Sequence, residues 1–171
     1  MSYDLNVIDL KKSIQDKEVL NANNLLMKDF GSFFNFKYNK IKLNYNTIDA
    51  LGLYRSIICD FNGDVVCFSP PKSYNYEYFN QDVSGVFIEE FVEGTMINIF
   101  KHEGKVYMST RSCIDALCNF YSNKTFNALF SEVIELSKFD TMDENMKLTF
   151  ILQHPENTIV TQYEKPDITL V

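Results

Sequence analysis

Three side chains in this sequence stand where local pattern would make them chemically useful. Arg55 heads the apolar run IIC, and a guanidinium at the start of a buried strand needs either solvent or an anion as its partner. Glu93 precedes the turn-prone Gly94 in EEFVEGTMINIF; a carboxylate there can orient a hydroxyl or a metal-bound water, or simply stand solvated beside the glycine. Arg111 closes KVYMSTR. If the preceding hairpin turns at Glu103-Gly104, register puts Arg111 opposite Met96 and close to Gly94, within reach of a phosphate held there; the alternative is an exposed charge at a strand end. Lys72 follows Pro70 and Pro71 and by local pattern alone is an ordinary loop lysine. His102 in KHEGK and His154 in QHPEN both fall in turns, where polar residues collect without special purpose. Four cysteines, Cys59, Cys67, Cys113 and Cys118, lack CxxC spacing or a histidine pairing, so no structural metal is expected.

The elements that must hold these residues read as follows. Lys17 to Asp29 carries Val19, Ala22, Leu26, Met27 and Phe30 near a 3.6 period, with Gly31 as a stop, which predicts a helix. Phe34, Phe36 and Tyr38, then Ile41, Leu43 and Tyr45, alternate with polar neighbours as half-buried strands do. This aromatic and basic run, Phe33 to Tyr45, fits either a plain sheet strand or a groove that stacks bases and meets backbone phosphates. Two hairpins come next. Arg55 to Phe61 pairs with Asp64 to Phe68 around Asn62-Gly63, and Val86 to Phe100 pairs with Lys105 to Arg111 around KHEGK. A two-residue loop at Asn62-Gly63 puts Cys59 opposite Val66 and Cys67 opposite Ile58, on opposite sides of the ribbon, where they cannot pair. Phe126, Leu129, Phe130, Val133 and Ile134 mark one helix face, with Glu132, Glu135 and Lys138 on the other. Lys147 to Leu152, Thr158 to Tyr163 and Asp167 to Val171 complete the strands, interrupted by Pro155 and Pro166.

Strand therefore outnumbers helix in a mixed order, and the expected class is α+β with antiparallel sheets and flanking helices. With 171 residues, 46% hydrophobic, one domain spanning 1–171 is expected, with a core of its own. No apolar run of membrane-spanning length and no secretory leader pattern appears, so an intracellular, soluble protein is expected. Sixteen Lys plus Arg against 23 Asp plus Glu gives a net charge of −7, which opposes nonspecific attraction to a polyanion. Any nucleic-acid contact must come from a local patch.

Three segments, in order, resemble the phage-type ATP-dependent RNA ligases and their relatives in large DNA viruses. LYRSIICDFNGDVVCFSPPKSYNYEYF carries Arg55, the Asn62-Gly63 turn, Lys72 and Tyr74-Asn75. IEEFVEGTMINIFKHEGKVYMSTRS follows the family's nucleotidyl-transfer strand, hairpin and basic ending. FILQHPENTIVTQYEKPDITLV matches a Pro-x-Asn-x-Ile-Val-x-x-Tyr pattern through Pro155, Asn157, Ile159, Val160 and Tyr163. The resemblance runs from about Ile41 to the end of the sequence. It implies a truncated nucleotidyltransferase domain (RNA-ligase-like, ATP-grasp type), with ATP and Mg2+ as cofactors and a nucleotide or RNA 5′-phosphate end as partner.

The departures concern the chemistry itself. The family's Lys-x-Asp-Gly, whose lysine amine attacks the α-phosphate of ATP, is here Phe91, Val92, Glu93 and Gly94. Phenylalanine has no lone pair to offer, so the covalent step cannot occur at position 91. Ser56 and Ser112 replace expected glycines, Ile151 stands where a ribose-holding glutamate is usual, and the later Glu-Gly-x-Val and Lys-x-Lys strands are missing. Phe91 and Glu93 would share one side of a strand, with Phe91 either leaving the site's geometry intact or filling the former ATP cavity. Three readings follow: a degenerate domain that binds nucleotide or RNA ends through Arg55, Lys72, Glu93, Gly94 and Arg111; an active enzyme using a relocated Lys72 or completed by another chain; or a protein-interaction module pairing through its last strand.

Overall fold

A computed structural model describes residues 8–75 and 89–171. Among these, β1 (Leu25–Asp29), β2 (Phe33–Tyr38), β3 (Ile57–Asp60) and β4 (Val65–Phe68) form one antiparallel sheet in sequence order. The second sheet runs β6 (Lys105–Ser109), β5 (Thr95–His102), β7 (Lys147–Gln153), β8 (Asp167–Leu170), also antiparallel. Short helices α1 (Leu10–Gln15), α2 (Lys17–Ala22) and α3 (Ile48–Leu51) accompany the first sheet, and α4 (Phe126–Ser131) the second. The α+β class with antiparallel sheets is as expected. No helix among the described residues is long and apolar enough to cross a membrane.

Side-chain alternation sorts the strands into layers. Ile57 and Cys59 of β3 join a core with Leu10, Leu20, Leu51 and Tyr54 of the helical side, while Ile58 turns the other way. All four residues of β3 are buried because both of its faces are covered. In β5, Ile97 and Ile99 pack with Phe126, Leu129 and Phe130, whereas Phe100 points toward the first sheet. Phe33, Ile58, Val66, Cys67, Phe100 and Ile114 thus make a shared core between the sheets, and Phe33 meets Phe100 edge-on at 5.8 Å. Asn98, on the Phe100 side of β5, donates to Ser69 Oγ (3.0 Å) and accepts from Thr149 Oγ1 (3.0 Å). That buried polar tie fixes the end of β4 against the second sheet.

Several expected elements are redrawn. The helix predicted from Lys17 to Asp29 ends at Ala22, because Asn24 takes a left-handed conformation (φ 56°) and Leu25–Asp29 pairs as a strand with Phe34–Tyr38. Sheet pairing overrides the helical period there. The strand predicted through Ile41, Leu43 and Tyr45 does not form: Asn39 accepts from the Ile41 N–H (3.0 Å), Asn44 from the Asn46 N–H (3.0 Å), and Thr47 from the Asn44 N–H (2.9 Å). These side chains capture the backbone donors a ladder would need, and Ile41 is 89% exposed.

The first hairpin turns through three residues, with Asp60 N–H bonded to Asp64 O and Gly63 at φ 87°. A bulge sets Cys59 opposite Val65 instead of Val66, while Cys67 faces Ile58 as expected; both thiols are free and buried. The second hairpin turns at Glu103 (φ 50°) and Gly104 (φ 75°), as the sequence predicts. The helix starting at Phe126 is capped by Thr125 and stops at Ser131, followed by a 3-10 turn at Leu136–Phe139. Thr158 to Tyr163 is not a strand, and the stretch 89–94 is unpaired chain, so Phe91 and Glu93 do not lie in a strand. The expected strand residues Val86 to Ile88 lie outside the described residues.

Candidate functional site

Where the open base of the β5–β6 hairpin approaches the start of β3 and the end of β2, the chain leaves a cleft of about 640 Å³. Arg55, Glu93, Gly94 and Arg111 all line it. They arrive from separate segments, 93–94 before β5, 111 after β6 and 55 before β3, so the fold assembles a site from four residues spread over 57 positions of sequence. Lys72 is not among the lining residues. Its backbone N–H bonds to Gly52 O (2.9 Å), and its ammonium donates to the carbonyl of its neighbour Ser73 (2.9 Å).

Arg111 bridges the sheets. Its Nε donates to Arg55 O (3.1 Å), its guanidinium lies 4.9 Å from the Tyr38 ring centroid, and Nη2 is buried with no hydrogen-bond partner. Lys40 joins the same cleft, and Lys37, one strand face away, donates to the lining residue Ser112 (3.0 Å). Burial first, and then the charges of Arg111, Lys28 and Lys40, pull Lys37 below the ordinary lysine value. Burial also lowers Arg55, with Arg111 adding to it and Tyr38 opposing. Among the described residues none of Lys37, Lys40, Arg55 and Arg111 forms an ion pair. An acidic chain has therefore gathered cations that repel one another and that form no ion pair among the described residues.

Glu93 is held by the chain that follows β7. Its carboxylate accepts from the Thr161 N–H (3.2 Å) and from the Tyr163 hydroxyl, and its carbonyl accepts from Gln153 (3.0 Å) and Tyr163 (2.8 Å). The Tyr163 bond is the main reason that Glu93 sits below the usual carboxylate value. Asn157 reaches the same segment, donating to Thr95 Oγ1 (2.9 Å). Gly94 is required by close approach: a Cβ there would lie 2.6 Å from Leu152 O and 2.7 Å from Ile151 Cγ2. Ile151, opposite Met96 in register, supplies an apolar wall to the cleft.

Phe91 does not fill the cleft. It is 88% exposed while lining it, and Phe120 (68%) and Ile159 (44%) line it too. Among the lining residues described, Glu93 is the one acidic side chain, and one of its oxygens already takes two donors. That donor set fits Mg2+ poorly, since the ion wants near-octahedral oxygen ligation.

Elsewhere, His154 (2% exposed) accepts the Glu156 N–H at Nδ1 (3.1 Å), which leaves Nε2 carrying the hydrogen toward Glu132 (3.1 Å). Glu132, His154 and Glu156 converge within 4.8 Å, but the Lys124 ammonium lies between the two carboxylates at 2.7 and 2.6 Å. The cluster is a structural ion pair that ties α4 to the turn after β7.

Sequence reasoning left Lys40, Phe120 and the Tyr163 tie without roles. Lys40 sat inside the aromatic and basic run already noted, and Tyr163 inside the matched tail pattern; Phe120 carried no signal. No protein-family model matches the chain, and neither does any curated protein.

Proposed function

We propose that this chain is an RNA-ligase-like nucleotidyltransferase domain that does not form a covalent nucleotidyl intermediate and binds a nucleotide or a 5′-phosphorylated RNA end. The observation that carries this reading is the convergence of Arg55, Glu93, Gly94 and Arg111 on one cleft whose volume, about 640 Å³, suits a nucleotide. The covalent transfer of that family uses the lysine of its motif, at the position that Phe91 takes here. Position 91 supplies a phenyl ring, and the Lys72 amine is occupied by the Ser73 carbonyl outside the lining. Unpaired guanidinium groups favour a phosphate, which accepts two donors from one arginine and offsets the charge that the gathered cations leave unbalanced.

The test is a fluorescence anisotropy titration with two short RNAs that differ only in a 5′-phosphate or 5′-hydroxyl end. Saturable binding that favours the phosphate, and weakens with added salt, supports the reading. Absence of saturable binding to either RNA and to ATP overturns it.

A further inference from the structure

Position 91 puts an aromatic ring into solvent at a cationic cleft. A ring that had merely plugged a disused cavity would be buried, yet Phe91 is 88% exposed. Phe120 is 68% exposed on the same cleft, and its ring meets that of Tyr121 (61% exposed) edge-on at 4.4 Å, which braces it. Exposed aromatic faces beside unpaired cations are the combination that holds nucleic-acid bases and their phosphates together. The cationic side is equally specific about its ligand. Arg55, Arg111 and Lys40 offer positive charge, while Glu93, the acidic side chain described there, is tied to Thr161 and Tyr163.

Resting on the reading above, we propose that the cleft takes a 5′-phosphorylated nucleoside unit as a metal-free anion, its base against Phe91 and Phe120 and its phosphate against Arg55 and Arg111. Phe91 is then a binding residue that has taken the place of a nucleophile. A divalent ion is not a bridge in this site but a competitor: chelated to the phosphate, it cancels the charge that the arginines recognise. The same chemistry is offered by a free mononucleotide and by the end of a single-stranded RNA.

The experiment titrates the whole chain with AMP and with a short 5′-phosphorylated single-stranded RNA, each in EDTA and in excess Mg2+, and repeats the series with Phe91→Ala and Phe120→Ala. Both variants alter exposed rings, so folding is retained, and a thermal melt checks this. Binding undiminished in EDTA, weaker in Mg2+, and reduced about tenfold or more by either substitution supports the proposal. Tighter binding of RNA than of AMP then names the RNA end as the source, and equal affinity names the mononucleotide; either ranking is compatible with the proposed contacts. Binding that needs Mg2+, or that survives both substitutions unchanged, overturns this proposal while leaving the underlying reading intact. Failure of every phosphorylated ligand to saturate in both buffers overturns the two together.

Discussion

Replacing Arg111 with methionine separates a phosphate ligand from a strut between sheets. Methionine keeps most of the stem's bulk. The substitution loses the Nε bond to Arg55 O (3.1 Å), worth about 1 kcal/mol, and the contact with Tyr38 (4.9 Å), worth about 0.5–1 kcal/mol at a partly exposed site. Against this, it removes a buried, unpartnered Nη2, whose desolvation costs about 1–3 kcal/mol, and relieves repulsion with Lys37 and Arg55. These contributions oppose each other at similar size, so stability should change by less than about 1 kcal/mol, or about 4 °C in Tm for a chain of this length. Affinity for a 5′-phosphorylated RNA should fall much further. Each charge-assisted bond to phosphate is worth about 1.5–3 kcal/mol, which is roughly 10–150-fold in Kd. Thermal denaturation and anisotropy on the same R111M preparation check both halves. A Tm loss beyond about 8 °C with unchanged RNA affinity would refute the reasoning and make Arg111 a structural brace.

Three further outcomes concern the frame around the cleft. Tyr163→Phe should lower stability near neutral pH by about 0.5 kcal/mol, a small value because solvent screens both groups. Since Glu93 is held low and Tyr163 is raised, by burial and by Glu93, the tie is intact between the ordinary glutamate and tyrosine values; it is lost as pH falls through the depressed Glu93 value or rises through the raised Tyr163 one, so denaturant midpoints of wild type and Y163F should converge at both extremes. Gly94→Ala places a Cβ 2.6 Å from Leu152 O and should cost about 1–3 kcal/mol by pushing β5 from β7, read as a Tm loss of roughly 2–12 °C; an unchanged melt would mean that the two strands do not meet there. Burial pushes the Cys59 and Cys67 thiols up to about 12, so iodoacetamide at pH 8 should label Cys113 and Cys118 first and reach the buried pair only on unfolding; equal labelling of all four in the native protein, by peptide mass spectrometry, would contradict the burial of β3 and β4.

What the sequence disclosed, and what it hid, follows from the range over which each interaction acts. The Glu103-Gly104 turn and the Lys147 to Leu152 strand rest on local signals and formed where the sequence put them, whereas the helix read from Phe126 to Ile134 stops at Ser131. The apolar residues between Val19 and Phe30 fit a helical period, but the asparagines at 21, 23 and 24 favour turn geometry, and β2 waits to pair with Leu25–Asp29. Asn39 and Asn44 likewise turn an alternating run into successive side-chain-bonded bends. In the site, Arg55 and Arg111 were legible from a strand start and hairpin register, Glu93 and Gly94 only through the family resemblance, and all four line one cleft. Lys72 shares their family pattern but does not line the cleft. The hold of Thr161 and Tyr163 on Glu93 spans about 70 residues and uses unpaired chain, for which no periodicity exists to read.

The central proposal is that this chain binds a nucleotide without forming a covalent nucleotidyl intermediate, and α-labelled ATP tests it most directly. The protein is incubated with the label, with and without Mg2+, and the same samples are counted by filter retention under native conditions and after denaturing electrophoresis. The account predicts label retained in the first assay and none travelling with the denatured polypeptide. Label that stays on the denatured chain would contradict it, and mapping that label to Lys72 would restore the enzyme that Phe91 denies.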